Sequence, residues 1–190
     1  SVYLFTEAII NYGSEDIKKS LLPKLVNGEI VGTMAVTEGL YAPTKNNIKL
    51  SCDDGILNGK KIAIPDAEAA THAIVVAKSN NGISLQVVDL LSEGVSIEHQ
   101  ENIDESRGHF SITFNNVKSD AIGDGTAGWE MYESIINQAA VLFSYEQIGG
   151  SQATLDMAIN YAKERYAFGR PIGSYQAIKH KLADMYIALT

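Results

Sequence analysis

The sequence predicts an α+β fold: an antiparallel β-barrel or sandwich flanked by helical segments, with long antiparallel helices at the C-terminal end. Three observations carry this reading. Up to Glu29 the apolar residues recur every three to four positions, the period of a helix buried along one face. Over residues 30–114 they fall into short, β-rich runs separated by turn residues, with no helix between them, which is the pattern of antiparallel pairing. From Trp129 the helical period returns and continues to about Arg165.

The elements follow in order, with boundaries at 1–29 for the end of a helical domain, 30–123 for the β domain and 124–190 for the start of a helical bundle. Residues 1–12 read as the last turns of a helix, with Gly13 past its end. Ser14 caps a second helix, Glu15 and Asp16 suit its positive N-terminal end, and Gly28 stops it. Ile17, Leu21, Leu22 and Leu25 form its buried face. Strands are expected at 30–36, 47–52, 55–57, 60–64, 73–78, 83–89, 95–100 and 109–114. Asp53-Asp54-Gly55, Asn58-Gly59 and Asn80-Asn81-Gly82 read as hairpin turns, because Asn and Gly tolerate positive φ. After a glycine-rich joint at 123–128, Trp129, Tyr132, Ile136, Ala139, Ala140 and Phe143 share one helical face. Gly149-Gly150 inside that helix points to close packing against another helix. Both ends of the chain read as entered within a helix, as in a piece of a longer protein.

The 190 residues are 45% hydrophobic and 20% charged, with a formal net charge of −8. That balance argues against broad nucleic-acid binding and against an anionic membrane surface, both of which need a basic face. The single cysteine, Cys52, has no internal partner, so a reducing compartment, the cytoplasm, is expected. No apolar run reaches membrane-spanning length. The four histidines are scattered without metal-ligand spacing. Cys52 reads as a buried or edge residue, Asp53-Asp54 as a turn, and Lys18-Lys19 and Lys60-Lys61 as solvated faces.

The stretch 161–176, YAKERYAFGRPIGSYQ, carries the functional reading. Arg165 ends one helix, Gly169 and Pro171 break it, and Ser174 caps the next, with Gln176 in its first turn. Locally this is a helix–turn–helix corner. It also offers a forked cation and a fresh helix N-terminus, both suited to a phosphate.

Arg165, Phe168, Gly169 and Gln176, followed by Leu182-Ala183-Asp184-Met185, resemble the signature of the acyl-CoA dehydrogenase family. Gly32-Thr33-Met34-Ala35-Val36-Thr37-Glu38, Ile56-Leu57-Asn58-Gly59-Lys60-Lys61 and the run from Arg107 to Gly123 resemble its β domain in the same order. The resemblance implies an acyl-CoA dehydrogenase-like fold and α,β-dehydrogenation of an acyl-CoA thioester. It implies FAD as cofactor, with Thr37 on the flavin-side strand. Arg165, Phe168 and Gln176 would hold the ADP half of a neighbouring subunit's FAD.

The sequence departs from the family pattern in three places. Pro43 and Thr44 replace a Ser and an Asp after Thr37-Glu38. Ala63 replaces a Trp that shields the flavin, and Pro65 a Thr that hydrogen-bonds near it. No catalytic Glu is visible at the family's positions: one lies beyond residue 190, the other falls near Phe143, and Glu146 is the one alternative base. Losses on the flavin side with an intact ADP-side corner resemble the heteromeric enzymes of bacterial steroid side-chain degradation. The resemblance thus implies a homo- or hetero-oligomer, with a heterotetramer as the specific expectation. A non-catalytic assembly subunit and an acyl-CoA oxidase or flavin monooxygenase of the same fold are the alternatives.

Overall fold

Two helices, α1 (Val2–Tyr12) and α2 (Glu15–Val26), open the chain in the computed structural model, which describes residues 1–104 and 106–190. The Ser14 hydroxyl accepts from the Ile17 N–H at 3.3 Å, so the expected cap is present. Helix α2 ends at Val26, and Gly28 turns the chain at φ 72°. Leu21 is buried on its inner face, with Ile17, Leu22 and Leu25 packed partly against the same core.

Eight strands follow: β1 (Gly32–Ala35), β2 (Ser51–Asp53), β3 (Ile56–Pro65), β4 (His72–Ser79), β5 (Gly82–Asp89), β6 (Val95–Gln100), β7 (His109–Lys118) and β8 (Asp120–Ile122). They form one sheet in the order β6-β7-β3-β2-β4-β5-β8, with β1 also pairing β4. The β1–β4 and β2–β4 pairs are parallel, which corrects the purely antiparallel expectation. The β2–β3 hairpin acts as the crossover that a parallel pair requires. It returns the chain to the start of β1, where the Val31 carbonyl accepts from the N–H groups of Thr71 and His72.

Strand β4 divides the core. Ala73, Val75 and Ala77 pack with β2, β3 and β7, whereas Ile74 and Val76 pack with α1, α2 and later strands. Both faces are covered, so residues 73–77 are all buried and read as a continuous apolar run.

One turn assignment changes. Asn58-Gly59 is not a turn, because β3 runs unbroken through it with a register shift against β7 between Leu57 and Gly59. Gly59 sits at φ 139°, with Leu50 Cα 3.1 Å from where a Cβ would be, so a bulge rather than a reversal uses this glycine. The β4–β5 hairpin reverses at Asn80-Asn81 as expected, with the positive φ on Gly82. Asp54 and Gly55, at φ 49° and 77°, make the expected β2–β3 turn.

Residues 1–137 form one compact unit and residues 138–190 another. Helix α3 (Gly128–Glu164) is 37 residues long and has its first turns in the first unit, where Met131 and Ile135 join the core. The buried line is Met131, Ile135 and Ala139, while Trp129, Tyr132 and Ile136 are half-buried and Phe143 is 42% exposed. The expected face is therefore rotated by about one position. Gly149 and Gly150 have no atom within 4 Å of a built Cβ, so no close helix contact within the described residues explains them. In the second unit a small hairpin, β9 (Tyr166–Ala167) and β10 (Arg170–Pro171), leads through a 3-10 turn (Ile172–Ser174) into α4 (Gln176–Leu189). Helix α4 returns alongside α3, and Gln147, Thr154, Leu155, Met185 and Leu189 line one cavity of about 740 Å³ between them. No described helix is long and apolar enough to cross a membrane.

Candidate functional site

The corner after α3 is built by short-range geometry. Phe168 and Gly169 lie at φ 52° and 79°, two successive left-handed residues of the kind a two-residue hairpin needs. The Ile172 N–H donates to the Arg165 carbonyl at 2.7 Å, closing the hairpin back onto the end of α3. At Gly173 a Cβ would lie 2.9 Å from the Ala162 carbonyl oxygen, so only glycine allows this approach. The Tyr175 hydroxyl donates to the Ala167 carbonyl at 2.8 Å, and the Arg170 guanidinium stacks 4.1 Å from the Tyr175 ring centroid.

Those contacts replace the expected cap. Ser174 ends the 3-10 turn, and Tyr175 precedes α4 without a side-chain cap bond. The Ser174 Oγ is buried and without a hydrogen-bond partner among the described residues. The tyrosine, anchored at its hydroxyl, fixes the extended residue from which α4 starts.

On this braced backbone the side chains of Arg165, Phe168 and Gln176 are exposed, and Phe168 is 97% exposed. None of the three side chains hydrogen-bonds to another described residue. A free forked cation, an exposed ring and a free amide on one rigid turn suit an anionic, planar ligand. Glu146 is exposed on α3 and does not line the cavity between α3 and α4.

In the first unit, Thr37 and Glu38 follow β1. The Glu38 carboxylate accepts from the backbone N–H groups of Lys49 and Leu50 at 2.7 and 3.0 Å. The Lys61 ammonium donates to Glu38 Oε1 at 2.6 Å and to the Val36 carbonyl at 2.9 Å. The Lys61 side chain is fully buried and that of Glu38 is 12% exposed. Burial pushes the Lys61 ammonium down to about 8, against the pull of Glu38. Thr37 is half-buried; its carbonyl accepts from Ile62 N–H at 2.8 Å, while its own N–H and hydroxyl bond to no described residue.

Lys61 therefore corrects the reading of Lys60-Lys61 as a solvated face. Adjacent strand residues point to opposite sides, so in a sheet covered on one face only one of two successive lysines can reach water. Lys60 does so and pairs with Glu98 at 3.1 Å. The alternation was available in the sequence; the partner, 23 residues away, was not.

The replaced positions are tied in through their backbone groups. Ala63 sits at φ 52° with its N–H donating to Gln100 Oε1 at 2.7 Å. The Pro65 carbonyl accepts from the Thr33 hydroxyl at 2.8 Å. Neither side chain supplies an aromatic ring or a hydrogen-bond donor toward a flavin. Pro43 and Lys49 line a cavity of about 360 Å³ beside Glu38, and Asn47 holds the loop through Thr44 N–H and the Ala42 carbonyl. Cys52 is buried, and burial pushes its thiol up, so it is no nucleophile at neutral pH. No group of three or more His, Cys, Asp or Glu side chains that could hold a metal occurs among the described residues.

Comparison with known proteins bears on the chain as a whole. Residues 126–190 match the family model of the acyl-CoA dehydrogenase C-terminal domain. The human mitochondrial short-chain specific acyl-CoA dehydrogenase is 29% identical over 98% of this chain and 48% of its own length. A probable acyl-CoA dehydrogenase of Bacillus subtilis is 32% identical over 97% of this chain and 53% of its own. The structure of a Mycobacterium smegmatis glutaryl-CoA dehydrogenase in complex with FADH2 superposes with a TM-score of 0.90 at 26% identity, covering 98% of this chain and 50% of that one. The chain thus spans about half the length of the curated relatives it matches. By fold and by sequence, this chain belongs to the acyl-CoA dehydrogenase family.

Proposed function

We propose that this chain is a subunit of an FAD-dependent acyl-CoA dehydrogenase that introduces an α,β double bond into an acyl-CoA thioester, with its flavin site shared between subunits. The observation that carries the reading is the corner: Arg165, Phe168 and Gln176 are exposed, unpartnered and mounted on a braced turn. In that role Arg165 holds the pyrophosphate of a flavin belonging to another subunit, with Phe168 and Gln176 beside its ADP half. The free donors of Thr37 suit the polar edge of the isoalloxazine. Bound flavin supplies the two-electron acceptor for the hydrogen leaving the β carbon. The chain's own residues bind and orient it.

Ala63 and Pro65 favour a second reading of the same assembly, in which this subunit stabilises a competent partner without turning over substrate itself. The pairing of degraded flavin-side positions with an intact corner fits a heteromer, heterotetrameric as in steroid side-chain degradation, better than a self-sufficient homo-oligomer. The visible absorption spectrum of the full-length protein tests this, taken alone and after co-purification with its partner. The expected result is substoichiometric flavin alone and full flavin in the complex. Full flavin in the isolated protein overturns the heteromeric sharing; flavin in neither preparation overturns the flavoprotein reading.

A further inference from the structure

We infer that Tyr175 is a positioning residue of the corner: the bond from its hydroxyl to the Ala167 carbonyl holds Phe168 and Gln176 at the spacing in which, with Arg165, they meet the ADP half of a flavin. This rests on the flavoprotein reading above and adds to it a residue that acts on the ligand only through its neighbours.

One hydrogen bond reaches both sides of the turn. Ala167 immediately precedes Phe168, and Tyr175 immediately precedes Gln176. The 2.8 Å contact between them therefore joins the two backbone positions from which the exposed side chains leave. Arg165 is tied in separately, its carbonyl accepting from the Ile172 N–H. The Arg170 guanidinium lies over the Tyr175 ring, 4.1 Å from its centroid, so the tyrosine is held at its face as well as its hydroxyl. Its carbonyl accepts from the Ile178 and Lys179 N–H groups at 3.1 and 3.0 Å. The residue that carries the anchor thus also carries the first backbone bonds of α4.

The turn does not hold this geometry by itself. Phe168 sits at φ 52° beside Gly169 at φ 79°, and a left-handed phenylalanine persists only where other contacts over-determine it. Its ring is 97% exposed, so those contacts come from the backbone around it. Helix α4 starts without a side-chain cap bond, where serine, threonine, aspartate or asparagine ordinarily fixes the first turn. A side chain anchored eight residues back supplies both constraints. An aliphatic residue at 175 could pack against the turn but has no donor for the Ala167 carbonyl. A binding corner gains from such pre-organisation, because apparent affinity falls with the fraction of molecules in the binding-competent form.

The test uses the full-length protein in its native assembly. FAD dissociation constants are read by titration of the apoprotein for wild type and Tyr175→Phe, then for the same substitution in a Phe168→Ala/Gln176→Ala background, where Arg165 keeps binding measurable. Circular dichroism and size-exclusion chromatography check fold and assembly. Tyr175→Phe keeps the ring and loses only the anchor. It is expected to weaken FAD binding about fivefold, the equivalent of one neutral hydrogen bond. In the background that lacks the side chains it positions, the same change is expected to cost under about twofold. A merely structural role predicts the same cost in both backgrounds, and that result overturns the proposal. So does wild-type FAD affinity in Tyr175→Phe. If Tyr175→Phe does not assemble, Arg170→Met, which uncovers the ring and spares the hydroxyl, takes its place in the cycle with the same two outcomes. Absence of FAD binding by the wild-type assembly is a different failure, that of the flavoprotein reading itself.

Discussion

Lys61 and Glu38 meet at 2.6 Å beneath the end of β1, the ammonium fully buried and the carboxylate 12% exposed. The first prediction concerns the cost of breaking this contact. Glu38→Ala leaves the ammonium buried with only the Val36 carbonyl for company, and also frees the Lys49 and Leu50 N–H groups. A loss of about 3–5 kcal/mol in urea unfolding is expected. A loss under about 1 kcal/mol would contradict the pairing.

The second prediction is a pH dependence. Lys61 titrates near 8 in the folded chain, below its ordinary 10.5. Between those values the unfolded chain holds more protons than the folded one, so the contribution of this group to stability rises with pH. The penalty is complete below about 8 and gone above 10.5, a change of about 3 kcal/mol. Wild type compared with Lys61→Met across this range should shift in favour of wild type as pH rises. A flat difference would show that Lys61 is not desolvated.

Phe168 provides the third. At φ 52° and 97% exposed, it occupies a conformation that costs a non-glycine residue about 1–2 kcal/mol and buries no compensating area in this chain. Phe168→Gly should leave denaturant stability unchanged or raise it by up to about 1 kcal/mol, since relief of strain is partly offset by a more flexible unfolded chain. The same variant should lower FAD affinity in the assembly. Unchanged FAD affinity would remove Phe168 from the binding corner.

The close approach at Gly173 gives the fourth. A Cβ there meets the Ala162 carbonyl at 2.9 Å, so Gly173→Ala must push the turn away from α3. A destabilisation of about 1–3 kcal/mol is expected from such overpacking, read as a lowered Tm. A wild-type Tm would mean the turn can relax without cost.

Much of the architecture was legible in the sequence, since periodicity and turn residues report local geometry. Ser14, the Asp54-Gly55 turn and the return to helix in α3 follow from propensities that act within a few residues. What was not legible depends on contacts far apart in the chain. The parallel β1–β4 pair is set by where the β2–β3 hairpin returns the strand. Asn58-Gly59 has the composition of a turn, but pairing with β7 carries β3 straight through it. Ser174 has the composition of a cap, but the Tyr175–Ala167 bond sets the start of α4 instead. At the site, the corner residues could be named from the resemblance because they are close in sequence. The Lys61–Glu38 pair could not, because it joins β3 to the segment after β1 through a buried ion pair.

The most direct measurement of the shared flavin site is the flavin content of Arg165→Ala, made in the full-length subunit and purified with its partner. Arg165 is exposed and bonded through its backbone only, so the substitution should leave the fold and the assembly intact. Loss of a charge-assisted contact of about 1.5–3 kcal/mol should weaken FAD binding roughly ten- to a hundredfold. The predicted result is an intact complex with reduced flavin occupancy and a raised FAD dissociation constant. An intact complex with full occupancy and wild-type FAD affinity would contradict it.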